Sequence, residues 1–126
     1  MMEDLTIYRS PGATSTTTVI TLAGPLNTST LFEFQDVLRR PETIDAIVDF
    51  RGVTYIDSAG LGTILAHWAH TQKAGRRLAL AGLIERVRVI FEMTGVEAVI
   101  PTFPTVAEAE KNFQPEDAAS AHGAAG

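Results

Sequence analysis

The sequence predicts an α/β domain, a mostly parallel mixed β-sheet with helices packed on it. Short β-branched runs alternate with segments whose apolar residues recur at helical spacing, and the helical segments are bounded by Gly, Pro or hydroxyl residues. The expected order is β-β-α-β-α-β-α-β-α, in which crossovers join parallel strands. The length of 126 residues suits one domain. We predict that it occupies residues 1–113 and that residues 114–126 form a disordered Ala/Gly-rich tail.

Two strands are expected first. Residues 5–9 alternate in polarity, and a β-branched run begins near residue 14. The second strand is predicted to end at Gly24 and Pro25, because both residues interrupt regular structure.

A helix is then expected over residues 28–40. Thr30 and Glu33 have the spacing of a capping box, and Pro41 cannot continue a helix. The β-branched run at residues 44–50 is apolar on nearly both faces, which is typical of an interior parallel strand. Residues 51–57 are expected to connect this strand to the next helix.

The next helix has the clearest apolar stripe in the chain, and Gly75 is its expected C-cap. Four residues at positions i, i+3, i+4 and i+7 form that stripe and are predicted to be core: Leu61, Ile64, Leu65 and Trp68.

The remaining elements are short. The sequence predicts a strand at residues 77–82, a helix at residues 85–94 with Gly95 as its cap, and a last strand at residues 99–100. Thr105 and Glu108 match a second capping box, which opens a helix that runs to about residue 113.

Composition excludes several classes of function. The formal net charge is −5, and it is about −3 without the tail's Glu116 and Asp117. A protein of this charge is a poor candidate for binding nucleic acid or an anionic membrane. The absence of cysteine excludes disulfides and thiolate chemistry. The acidic start, and the lack of an apolar run of membrane-spanning length, predict a cytoplasmic protein that is not inserted in a membrane.

No catalytic constellation is visible. Ser58 at the start of a helix lacks the flanking glycine of a nucleophile elbow. His67 and His70 would lie roughly 14 and 18 Å along that helix, at about 1.5 Å per residue, which is beyond hydrogen-bond reach. The third histidine, His122, falls in the tail. We therefore predict no catalytic residue, no metal site and no cofactor.

The unusual segment is residues 57–63, Asp-Ser-Ala-Gly-Leu-Gly-Thr. Asp57 and Ser58 are both suited to cap a helix. Each glycine costs roughly 1 kcal/mol relative to alanine in a helix, so a further reason for Gly60 and Gly62 is expected. Glycines would let another molecule approach the backbone, and the helix N-terminus would tolerate a phosphate on Ser58.

Residues 49–62, which contain the Asp-Ser-x-Gly-Leu-Gly motif, resemble the signature of STAS-domain anti-sigma factor antagonists. Residues 24–27, Gly-Pro-Leu-Asn, are similar to the family's Gly-x-Leu-Asp element. The resemblance implies that an anti-sigma factor that is itself a serine kinase phosphorylates Ser58. It also implies that the unmodified protein binds that kinase and frees a sigma factor, and that a PP2C-type phosphatase restores Ser58.

Six residues are expected at the partner surface: Asn27, Thr28, Asp57, Ser58, Gly60 and Gly62. Asn27 stands where the family usually has Asp, which changes the electrostatics near Ser58. Three other functions stay open. The domain could be a scaffold of a signalling assembly, an accessory subunit of a lipid ABC transporter, or an enzyme or small-ligand protein with Ser58 in a pocket.

Overall fold

The computed structural model describes residues 4–113, so the predicted tail lies outside the described residues. Within this range, one five-stranded sheet has the strand order β1-β2-β3-β4-β5, in which β1 is antiparallel to β2 and all other neighbours are parallel. The strands are β1 (Thr6–Pro11), β2 (Thr17–Leu26), β3 (Asp45–Ile56), β4 (Leu78–Ala81) and β5 (Thr102–Phe103). The predicted α/β class and the predicted order of elements are confirmed.

In the described part of the chain, four α-helices connect or follow these strands: α1 (Leu31–Leu38), α2 (Ser58–Ala74), α3 (Glu85–Thr94) and α4 (Val106–Asn112). Alternate side chains of β3 point to opposite faces of the sheet and so serve two cores. Phe50 packs in the larger core with α1, α2 and α3 and meets Phe91 edge to face, with ring centroids 5.9 Å apart. Ile47 packs on the other face with Ala109 and Phe113, at α4. Among the described residues, no helix combines the length and the apolarity needed to cross a membrane.

The predicted end of the second strand is wrong, because β2 continues through Pro25 to Leu26. Pairing with β1 stops at Ala23, whereas pairing with β3 continues to Ile56 with two register shifts. Beyond Ala23, β2 has no further ladder partner in β1, so Pro25 interrupts no ladder bond to β1.

Residues 51–56 were expected to be a connection, and this is also wrong. They extend β3 to Ile56, the partner of Leu26 in β2. Pairing with β2 explains the extension, because β2 supplies a ladder partner as far as Ile56. This pairing outweighs the local preference of the sequence.

The predicted last strand at residues 99–100 is wrong as well. A 3₁₀-helix covers Val96–Ala98, and the strand β5 begins two residues after Ile100. Ile100 is fully buried and its N–H donates to the carbonyl of Val96, 3.0 Å away. Ile100 therefore anchors this turn in the core without joining the sheet, while Val99 is exposed.

The two predicted capping boxes have different outcomes. Thr105 caps α4, since its hydroxyl accepts a hydrogen bond from the N–H of Glu108 at 3.1 Å. Thr30 makes no side-chain cap on α1. Its hydroxyl accepts instead from the N–H of Asn27 at 3.0 Å, and it donates to the carbonyl of Pro25 at 2.8 Å. The hydroxyl of Thr30 thus ties the end of β2 to the start of α1.

One residue of the predicted stripe of α2 is not in the core. Leu61 and Ile64 are buried and Trp68 packs against the same cluster, but Leu65 is 37% exposed. The buried face of α2 also includes Thr63, so this face is rotated slightly about the helix axis from the predicted stripe.

Candidate functional site

The candidate site forms where two neighbouring parallel strands end. Leu26 and Ile56, the last residues of β2 and β3, are paired, so the segments that follow them leave the same edge of the sheet. The N–H of Asp57 donates to the carbonyl of Leu26 at 3.2 Å. The loop at residues 27–30 therefore lies beside the first turn of α2.

Asp57 links these two segments. One carboxylate oxygen, Oδ1, accepts from the N–H of Gly60 at 2.9 Å and caps α2. The other, Oδ2, accepts from the N–H of Thr28 at 3.2 Å and from its hydroxyl at 3.4 Å. Both Asp57 and Ser58 were suited to be the cap, and the structure assigns the role to Asp57.

These hydrogen bonds determine the charge of the cap. Burial by itself would raise the pKa of Asp57, but the hydrogen bonds from Gly60 and Thr28 outweigh it and lower the pKa below its ordinary value. The carboxylate is therefore ionised at neutral pH, and it places a negative charge at the positive end of the helix dipole.

Asp57→Ala should lower the free energy of unfolding at neutral pH by about 1 kcal/mol, the usual effect of losing an N-cap. Because the pKa of Asp57 is lowered by folding, its contribution is complete above the ordinary value of 3.8 and disappears as the pH falls through the folded-state pKa. Urea unfolding of both proteins across this acid range measures the difference.

Thr105→Ala is the matched control, since it removes the cap of α4 from a hydroxyl that does not titrate. Its effect on unfolding should stay constant over the same pH range. A difference between Asp57→Ala and the wild type that did not shrink in acid would contradict the role given to the ionised carboxylate.

Ser58 is the first residue of α2, and its side chain is exposed. Gly62 lies one turn further on, on the same side of the helix, and is also exposed.

The histidines lie further along α2, with His67 and His70 ring centroids 6.0 Å apart. Among the residues the structure describes, no cluster of His, Cys, Asp or Glu has the makeup of a metal site.

The two glycines of the motif have different environments. A Cβ atom on Gly60 would lie 2.6 Å from the carbonyl oxygen of Leu26 and 2.9 Å from Cγ1 of Ile56, whereas one on Gly62 would meet nothing within 4 Å. Gly60 is buried, so the structure gives it a packing role in place of the open approach that we expected. Only Gly62 fits the expectation of an accessible backbone.

Asn27 shapes the neighbouring loop. Its side-chain oxygen accepts from the N–H of Ser29 at 2.9 Å, and its own N–H donates to the hydroxyl of Thr30 at 3.0 Å. The sequence did not predict this role of Thr30 in the loop, because its spacing from Glu33 indicated a helix cap. The neutral amide of Asn27 forms this turn without adding a second carboxylate beside Asp57.

Comparison with known proteins agrees with this architecture. The STAS domain family matches residues 5–109. An anti-sigma-B factor antagonist of Staphylococcus aureus is 30% identical over 81 residues, which is 62% of this chain and 75% of that protein.

Solved structures also share the fold, and two of them serve as examples. An anti-sigma factor antagonist from Mycobacterium paratuberculosis superposes with a TM-score of 0.74 at 16% identity, covering 86% of this chain and 92% of that one. The phosphorylated form of the Bacillus cell fate determinant SpoIIAA superposes with a TM-score of 0.67 at 19% identity, covering 86% of this chain and 100% of that one.

Proposed function

The chain belongs to the STAS-domain family of anti-sigma factor antagonists, and from this we propose that it binds an anti-sigma factor and thereby frees a sigma factor. In the detailed form of the proposal, the anti-sigma factor is a serine kinase that phosphorylates Ser58. The phosphorylated protein no longer binds, and a PP2C-type phosphatase returns it to the binding state.

The observation that carries the proposal is the exposed hydroxyl of Ser58 on a rigid helix start. Asp57 holds the first turn of α2 against the loop at Thr28, so the two segments present one continuous surface. Asn27, Thr28, Asp57, Ser58 and Gly62 form the partner surface in this proposal, with Gly60 packed behind it.

Phosphorylation would act locally. It adds about −1.5 to −2 charges at neutral pH, next to the ionised Asp57. No packed group has to move to accommodate it, because the side chain of Ser58 faces solvent. The helix dipole favours the new charge and the carboxylate of Asp57 opposes it, so the fold is kept. A partner that contacts this surface would meet added bulk and negative charge.

The proposed role is binding without catalysis. A hydrolytic function for Ser58 would need a base in hydrogen-bond range. The side chain nearest to it in sequence that titrates is Asp57, and its carboxylate oxygens already accept from Gly60 and Thr28.

Protein purified from its native host should carry one phosphate on a fraction of its molecules, and that phosphate should map to Ser58. Intact-mass spectrometry followed by peptide mapping measures it, and Ser58→Ala is the control that should show no such mass increment. A phosphate found only on other Ser or Thr residues would contradict the gate and would favour a scaffold role.

A further inference from the structure

A cleft of about 330 Å³ lies between the C-terminal end of α1 and the middle of α2. We propose that this cleft binds a small multivalent oxyanion, a compact molecule that carries two or more phosphate or carboxylate groups. Five positively charged or protonatable side chains line it, and we call it the basic cleft: Arg39, Arg40, His67, His70 and Arg76.

The positive groups come from three separate segments. Arg39 and Arg40 follow α1, His67 and His70 lie on α2, and Arg76 follows the cap of α2. Two arginines at the end of α1 would be explained by its helix dipole alone. That explanation does not extend to groups that a second helix and a following loop bring to the same cavity.

Among the described residues, none that lines the cleft is acidic, although acidic residues outnumber basic ones in the chain. Arg40 lies 3.8 Å from Asp36, which is one turn back on α1 and outside the cleft. This carboxylate neutralises part of the charge of Arg40. Arg76 is held in place by a 3.2 Å hydrogen bond to the carbonyl of Thr43. Within residues 4–113, Arg39 forms no ion pair.

Positive charge in the cleft adds to the effect of burial on the pKa of His67. Burial lowers the pKa of His67 to about 4, and the charges of His70, Arg39 and Arg76 add to this effect. Asp36, the only carboxylate paired with a cleft arginine in the described part of the chain, does not reverse it. A bound anion would reduce the repulsion and favour the protonated ring.

The walls of the cleft indicate the class of ligand. The volume is at the lower end of the range for small-molecule sites, about 300–1,000 Å³. Its described lining holds no Phe, Tyr or Trp, and five of its twelve residues are positively charged or protonatable. Planar arginine side chains bind phosphate and carboxylate groups through paired hydrogen bonds. Pyrophosphate and citrate are therefore suitable probes, because the first carries phosphate groups and the second carries carboxylate groups.

The basic cleft is separate from the partner surface. It begins at Thr63 on α2, whereas Ser58 and Asp57 lie at the helix start and do not line it. Anion binding at the cleft therefore does not depend on the function proposed for Ser58, and either can fail without the other.

Isothermal titration calorimetry of the full chain with pyrophosphate and with citrate tests the proposal. At least one should bind with a one-to-one stoichiometry, and Arg39→Gln should weaken that binding tenfold or more. Arg86→Gln is the matched control: it removes the same charge from an exposed position on α3, and it should change the affinity less than twofold. Tighter binding of pyrophosphate would identify a phosphate ligand, and tighter binding of citrate a carboxylate ligand.

A second readout uses the wild type alone and so does not depend on whether a variant folds. Saturating anion should raise the pKa of His67, followed by NMR of its ring protons, by at least one unit, which corresponds to tenfold tighter binding to the protonated form. The absence of both a binding heat and a pKa change at millimolar anion would overturn the proposal. So would an equal loss of affinity in Arg39→Gln and Arg86→Gln.

Discussion

Ser58→Asp is expected to weaken binding of the anti-sigma factor at least a hundredfold, while Ser58→Ala binds within a few-fold of the wild type. The aspartate places a permanent negative charge on the exposed first residue of α2, beside the ionised Asp57, and so imitates part of the phosphate. A hundredfold loss corresponds to about 2.7 kcal/mol, which repulsion and bulk at one interface position can supply.

Calorimetric titration with the purified partner measures this difference. Ser15→Asp is the matched control, because Ser15 is exposed and precedes β2, whereas the site follows the other end of that strand. Ten residues of extended strand separate the two ends by about 30 Å, so the control charge should leave the affinity unchanged. Equal affinities of Ser58→Asp and Ser58→Ala would refute the phosphorylation gate.

Gly60→Ala is expected to destabilise the fold by about 2 kcal/mol, in the range for overpacking a filled core. The added methyl group would lie 2.6 Å from the backbone carbonyl of Leu26, so β2 and α2 must separate to accept it. Separation would also strain the hydrogen bond from the N–H of Gly60 to Asp57, which caps the helix.

Gly62→Ala is the matched control, and its expected effect has the opposite sign. A methyl group there meets no atom within 4 Å, so the helix should gain about 1 kcal/mol from the better propensity of alanine. Urea unfolding of the wild type and both variants measures the two changes. Stabilisation by both substitutions would mean that propensity alone governs the glycines, and the close packing of Gly60 on Leu26 would be wrong.

Local sequence signals were sufficient to predict the fold class and the ends of several helices. Gly75 and Gly95 adopt left-handed conformations at the ends of α2 and α3, and Thr105 caps α4, as expected. Each of these signals acts over at most four residues, so it can be recognised without knowing what the segment packs against.

Other features depend on contacts between segments that are distant in sequence, and these could not be predicted. Strand β3 extends to Ile56 beside the end of β2, Thr30 bonds Pro25 rather than a helix N–H, and Gly60 is buried on Leu26. The basic cleft likewise arises only when α1, α2 and the loop after α2 come together. Strand pairing, close contacts between backbones and the total charge of a cleft all depend on which segments become neighbours in space. The spacing of residues along the chain does not show which segments those will be.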